Sequence, residues 1–215
     1  MNDIGVIFDC DGTLVDSMGA WHEVDRTLAA EADAEAITTM SLPEASAYLH
    51  EQCGLGESNE AVLEMIFDRM RAFYANEVEA RPGALAFVQA LHERGVPMAV
   101  ASSTPADMLA TCVERCGFAP YMKTVVSVDD LQTSKREPAV YDHARSFLGT
   151  DRAHTWAFED AAYALDTLCA AGYRTGAIYD NDISGTRDQL FERADFLIAS
   201  WEDLDPDIFL AKAGA

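Results

Sequence analysis

The sequence predicts an α/β protein: a doubly wound parallel sheet with a helical bundle inserted after its first strand. From residue 84 to residue 198, short apolar runs alternate with helical segments, which requires parallel strands joined by helices on both faces of a sheet. Residues 18 to 78 keep helical periodicity with no convincing strand. The first apolar run, Ile4-Gly5-Val6-Ile7-Phe8, stands ahead of that helical stretch and is expected to be a buried strand.

In chain order, amphipathic stretches run from Trp21 to Ala32, from Pro43 to Gln52 and from Asn59 to Ala75. Pro43 after Ser41 is a helix start, and Gly54 with Gly56 a stop. Arg81-Pro82-Gly83 then breaks the pattern. Beyond it, helices are expected over 84–94, 106–116, 138–148, 161–171 and 186–193. Strands are expected over 97–101, 124–128, 154–158, 174–178 and 195–198. Residues 1–16 and 82–215 thus form one sheet domain, with 17–81 an inserted helical domain. Both crossings fall near the carboxyl end of the first strand, where such folds bind ligands.

The chain has 215 residues, with 15 Lys plus Arg against 37 Asp plus Glu and a formal charge of −22. That balance argues against binding nucleic-acid backbones or anionic membranes by long-range attraction. Its only lysines are Lys123, Lys135 and Lys212, and residues 17 to 80 hold Arg26, Arg69 and Arg71 against thirteen acids. With cations this scarce, each one beside a candidate anion site carries weight. The five cysteines show neither zinc-like spacing nor a disulfide framework, and are read as free thiols of a reducing compartment. No basic-then-apolar leader opens the chain and no apolar run nears the roughly 20 residues that span a bilayer. The expectation is a soluble, cytoplasmic protein, a monomer or weak dimer.

Asp9-Cys10-Asp11-Gly12-Thr13 sets two carboxylates two residues apart at the end of the first strand. A carboxylate there can attack phosphorus if a metal offsets charge repulsion, and the second can exchange a proton with the ester oxygen. Gly12 lets the chain turn, and Thr13 adds a hydroxyl and an N–H for an anion. Strand alternation turns Cys10 the other way, into the core. After the strand at 97–101 come Ser102-Ser103-Thr104, a candidate anion seat before a helix. Lys135 lies in a loop before the helix at 138, and Glu159-Asp160, after the strand at 154–158, can hold a hard cation. Taken singly these are a turn, a helix cap, a solvated lysine and acids at a helix start. Jointly they supply nucleophile, proton shuttle, anion seat, cation and metal ligand on one sheet.

The runs FDCDGTLVDS, ASST, TSKREPAVY and FEDAAYALDTLCAAG, in that order, resemble the haloacid dehalogenase superfamily of phosphotransferases. The similarity is to its helical-cap branch, which includes β-phosphoglucomutase and phosphoglycolate phosphatase. The resemblance implies a Rossmann-like core and a cap. It implies Asp9 as the nucleophile that forms an aspartyl phosphate and Asp11 as general acid, then base. It implies Ser102 and the N–H of Ser103 on the phosphoryl group, with Thr13 in support, and Lys135 neutralising charge on Asp9 and phosphate. Mg²⁺ is implied on Asp9, Asp160, Glu159 and the backbone carbonyl of Asp11.

Departures from the family pattern bear on substrate. Where many relatives read DSEPLH, this chain has Asp16-Ser17-Met18-Gly19-Ala20-Trp21, with an indole in the histidine's place and His22 next. Trp21 and His22 are candidate specificity residues, Trp21 equally a core residue of the cap. Arg136 replaces the proline usual after the lysine, Ala161 a common serine, and Ala164 stands near a frequent glycine. Asp11 argues against dehalogenation, because a halide leaving group needs no proton. A phosphomutase like β-phosphoglucomutase would want cations in a cap loop, yet Ala36 to Glu44 has neither Lys nor Arg. The expected activity is an Mg²⁺-dependent phosphatase of a small phosphorylated metabolite, with the mutase and a non-catalytic phospholigand-binding domain as alternatives.

Overall fold

The computed structural model describes residues 4–28, 42–179 and 186–214. The ends of the stretches read as Trp21–Ala32 and Ala36–Glu44, at 29–32 and 36–41, lie outside them. The strands are β1 Gly5–Phe8, β2 Met98–Ser102, β3 Met122–Ser127, β4 Thr155–Glu159, β5 Arg174–Ile178 and β6 Phe196–Ile198. The helices are α1 Met18–Leu28, α2 Leu42–Cys53, α3 Asn59–Asn76, α4 Ala84–Glu93, α5 Ala106–Arg115, α6 Ala139–Ser146, α7 Ala162–Ala171, α8 Arg187–Arg193 and α9 Pro206–Ala213.

All strand pairs are parallel, in the order β3-β2-β1-β4-β5-β6. β1 therefore lies between the strands that follow the two largest crossovers, and every functional strand end opens on the same edge of the sheet. Both faces are covered, so the strands read as apolar runs rather than alternations. On one face Ile7, Ala99, Ala101 and Ala157 pack with Val140, Tyr141, Ala144 and Leu168. On the other, Phe8, Phe87, Phe158, Trp201 and Phe209 form a cluster of buried rings. Gly176 of β5 makes that cluster possible, because a Cβ there would sit 2.2 Å from Phe158 Cε1.

Contacts divide the chain into one unit of Met1–Asp16 with Glu79–Ala215 and another of Ser17–Val78. The sheet unit resumes at Glu79 rather than at 82. Asp16 N–H donates to Glu79 O at 3.0 Å, Arg81 N–H to Leu14 O at 2.9 Å, and Val15 bridges Ala80 antiparallel. Within the helical unit, α3 turns Val62, Ile66, Met70 and Tyr74 inward at four-residue spacing, and Ala45, Ser46 and Leu49 of α2 are buried as well. Ser58 caps α3, accepting the Ala61 N–H at 3.2 Å. Gly54 and Gly56 take positive φ of 67° and 64° between α2 and α3, as a helix stop requires.

Two differences from the sequence reading matter. β2 and β4 each run one residue further than expected, so Ser102 and Glu159 are strand residues, paired with Ser127 and Ala177. α9 was not anticipated, although Asp205-Pro206 is a start signal: the Asp205 carboxylate accepts the N–H groups of Asp207 and Ile208 at 2.8 and 3.0 Å.

Away from these strand ends, Asp142 fastens α6 to the segments that lead into β4 and β5. Its carboxylate accepts from Arg152 Nε at 2.8 Å, from Arg152 Nη2, and from the Tyr173 hydroxyl at 2.7 Å. Chiefly through the Arg152 hydrogen bond, its carboxyl is held below the usual value near 3.8. The native state thus binds this proton less tightly than the unfolded chain. The contribution is present above pH 3.8 and lost as pH falls through the depressed native value. Asp142→Asn is expected to cost about 1 kcal/mol at pH 7 and less at about pH 2.5 than at pH 7. Urea unfolding of both proteins at the two pH values checks this.

Candidate active site

Parallel pairing sets the distances between the candidate residues. Phe8 is in register with Val100 on one side and with Phe158 on the other. Asp9 follows Phe8 directly and Glu159 is one past Phe158, so these two emerge from adjacent strands at one level, with Ser102, two past Val100, one residue further along β2. Asp9 is tied back by its N–H to Phe158 O at 2.9 Å. Gly12 turns the chain at φ 74°. Leu14 and Val15 then bond their N–H groups to Cys10 O at 2.8 and 3.0 Å, closing the loop on itself.

Lys135 reaches this level from the loop before α6. Its ammonium donates to Asp9 Oδ1 and, at 2.7 Å, to Glu159 Oε1, with all three side chains almost wholly buried. Burial alone would push the ammonium's pKa down. The carboxylates of Asp9 and Glu159 outweigh it and hold the pKa above its ordinary value. For Asp9, burial is the largest cause of a carboxyl held well above the usual range. Glu159 adds to the rise and Lys135 opposes it.

Asp160 is buried beside them, and oxygens of Asp9, Glu159 and Asp160 lie within 4.8 Å of one another. Glu159 Oε2 is buried with no hydrogen-bond partner among the described residues. An orphaned carboxylate oxygen in an all-oxygen cluster fits a hard divalent cation such as Mg²⁺. Charge balance points the same way. Asp9 and Glu159 share the Lys135 ammonium with Asp160 beside them, and a phosphate dianion entering this acidic cluster calls for further positive charge.

The remaining candidates fall into place around this cluster. Ser102 is buried and its hydroxyl accepts the Thr104 N–H at 3.0 Å, whereas Ser103 is exposed. Asp11 Oδ2 accepts from the Thr104 hydroxyl at 2.5 Å. Thr13 is fully buried, its hydroxyl without a partner among the described residues. Cys10 is buried with its sulfur 3.6 Å from that of Cys112. The Cys112 hydrogen bond pulls the Cys10 thiol down, but burial and the charges of Asp11 and Asp9 push it up to about 11. That makes it an inert small hydrophobe. Arg136 is exposed, its guanidinium 4.8 Å from the Tyr163 ring centre. Trp21 and His22 belong to α1 of the helical unit, where the Trp21 indole N–H donates to the Tyr74 hydroxyl at 3.1 Å.

Several supporting residues escaped the sequence reading. The Tyr141 hydroxyl donates to Glu159 Oε1 at 2.6 Å, Arg81 Nη1 to Gly12 O at 2.9 Å, and the Trp201 indole to Thr13 O at 2.9 Å. Thr104 stood in a run already marked. Tyr141, Arg81 and Trp201 gave no signal beyond their residue type.

Comparison with known proteins agrees with this geometry. Phosphoglycolate phosphatase of Rhodobacter capsulatus is 28% identical over 180 residues, covering 78% of this chain and 80% of that protein. Hexitol phosphatase B of Escherichia coli (strain K12) is 24% identical over 181 residues, covering 80% of this chain and 82% of its own. CbbY from Rhodobacter sphaeroides, solved in complex with phosphate, superposes with a TM-score of 0.76 at 23% identity, covering 95% and 96% of the two chains. Residues 5–172 match the haloacid dehalogenase-like hydrolases. With that match over most of its length, and with paired acids, hydroxyls and a lysine at the strand ends, the chain belongs to the haloacid dehalogenase-like hydrolase family.

Proposed function

We propose that the protein is an Mg²⁺-dependent phosphatase of small phosphomonoesters, working through a phosphoryl group carried on Asp9. The observation that supports it best is the buried bridge of Lys135 between Asp9 and Glu159, with Asp160 beside them. It supports Asp9 as the nucleophile beside a fixed positive charge, and the acidic cluster as the seat of the metal. Asp9 attacks phosphorus while the ester P–O bond breaks, and Asp11 gives its proton to the departing oxygen. Water then attacks the same phosphorus, the Asp9–phosphate bond breaks, and Asp11 takes the water's proton. Ser102 and the Ser103 N–H hold the phosphoryl oxygens, with Thr13 supporting the loop, and Lys135 balances charge on Asp9 and phosphate.

Asp9, Asp160, Glu159 and the backbone carbonyl of Asp11 would hold the cation. When bound, it offsets the repulsion between phosphate and carboxylates. Residues 17–78 act as the cap that sets specificity, Trp21 and His22 being its candidate contacts. The relatives' names, which specify phosphoglycolate and hexitol phosphates, support a small metabolite as substrate. The excess of acids in the helical insertion favours an uncharged or cationic leaving group. Water is the preferred acceptor over a second sugar phosphate, since the stretch from 36 to 44 has no Lys or Arg.

The test is inorganic phosphate release from a panel of sugar, polyol, glycolate and aryl phosphates, with Mg²⁺ and with excess chelator. Turnover should fall at least about a hundredfold without metal and return when Mg²⁺ is restored. Hydrolysis indifferent to chelation, or none across the panel, would refute the reading.

A further inference from the structure

Thr104 is the third hydroxyl of the run Ser102-Ser103-Thr104 and is 5% exposed. Its backbone is held from both sides: its N–H donates to Ser102 Oγ at 3.0 Å and its carbonyl accepts the buried Ser127 hydroxyl at 2.7 Å. Ser127 is anchored in turn, its N–H on the Asp130 carboxylate at 2.9 Å and its Oγ accepting the Asp129 N–H at 3.2 Å. On this fixed frame the Thr104 hydroxyl donates to Asp11 Oδ2 at 2.5 Å. A threonine whose only task was to start α5 could turn its hydroxyl to the helix's own N–H groups. This one spans 93 residues of sequence to a carboxylate in the loop after β1.

We propose that Thr104 is a positioning residue for Asp11. Its hydroxyl holds Oδ2 as donor and so fixes the carboxyl group that exchanges a proton with the ester oxygen. The proposal rests on the phosphatase reading. A hydroxyl donating to Oδ2 fixes the plane of the carboxyl group. In the first half-reaction Asp11 gives its proton to the leaving oxygen as its bond to phosphorus breaks. In the second the same carboxylate takes a proton from water. Thr104 changes partner in neither.

The test uses kcat/KM, which reports the steps through alcohol release, on 2,4-dinitrophenyl, 4-nitrophenyl and phenyl phosphate. A good leaving group departs without a proton and a poor one needs it. Thr104→Val keeps the shape and removes the donor. It should lower kcat/KM on phenyl phosphate about ten- to a hundredfold while changing that on 2,4-dinitrophenyl phosphate less than about threefold. Thr104→Ser restores the donor and should recover phenyl phosphate turnover to within about threefold of the parent. In an Asp11→Asn background, Thr104→Val should have no further effect.

An equal loss on all three esters, or a further loss in the Asp11→Asn background, overturns the positioning role while the phosphatase reading stands. Failure of the parent protein to hydrolyse any of the three, with Mg²⁺ present, refutes the phosphatase reading and this role with it.

Discussion

Asp9→Asn is expected to abolish phosphate release, by roughly 10⁴-fold or more in kcat with Mg²⁺ present. The amide keeps the shape of the carboxylate but offers no nucleophilic oxygen, so the ester bond has nothing to exchange with. Asp9 is 4% exposed, its carboxyl already raised by burial, and its replacement removes a costly buried charge while Glu159 remains as a partner for Lys135. The variant should therefore stay folded, with a thermal midpoint within a few degrees of the parent. Phosphate assays and thermal melts on the same preparation separate the two effects. Residual turnover within about tenfold of the parent would remove Asp9 from the nucleophile's role.

Lys135→Met should show the second largest effect, on stability as well as rate. Methionine replaces much of the aliphatic stem and removes the ammonium, leaving Asp9 and Glu159 buried without their shared counter-charge. Stranding buried charges in this way costs about 3–5 kcal/mol, and loss of a fixed cation beside transferring phosphate costs on the order of 10²–10³ in rate. The sign with pH is determined by Asp9. Its carboxyl is held above the usual range by burial and by Glu159, with Lys135 acting to lower it. A native pKa above the unfolded value means the native state binds the proton more tightly. The associated stability is full below the ordinary carboxylate value and lost as pH rises through the native one. With Lys135 gone that slope steepens, so the deficit against the parent should be smaller at pH 5 than at pH 8. Urea midpoints at both values check it, and a deficit independent of pH would contradict the charge argument.

The legible part of the site was the part written in local sequence. Asp9, Asp11, Ser102, Glu159 and Asp160 each follow or end an apolar run, and an acid or hydroxyl at such a strand end has little else to satisfy it; Lys135 stands in a loop and drew weight only from the scarcity of lysines and from the other sites. α4, β5 and α7 were bounded to within a residue because a glycine stop or an apolar run of defined length marks them. β3 was placed two residues late because Met122 and Lys123, only partly buried or exposed, do not read as core. α9 was missed because its eight residues carry little amphipathic pattern.

What the sequence by itself determined was the alternation of strand and helix, the insertion after β1, and the identity of the groups at the strand ends. These follow from periodicity and from turn chemistry, which act over a few residues. Only the tertiary structure decided which oxygen each donor would reach. The strand order places β2 and β4 beside β1, and the register sets Glu159 level with Asp9 and Ser102 one residue beyond it. Packing then brings Thr104 to Asp11, Tyr141 to Glu159, and Trp201 to the carbonyl of Thr13 across 188 residues. A hydrogen bond depends on distance and direction to within a few tenths of an ångström. That precision exists only once non-local pairing and close packing have fixed the backbone on both sides of it.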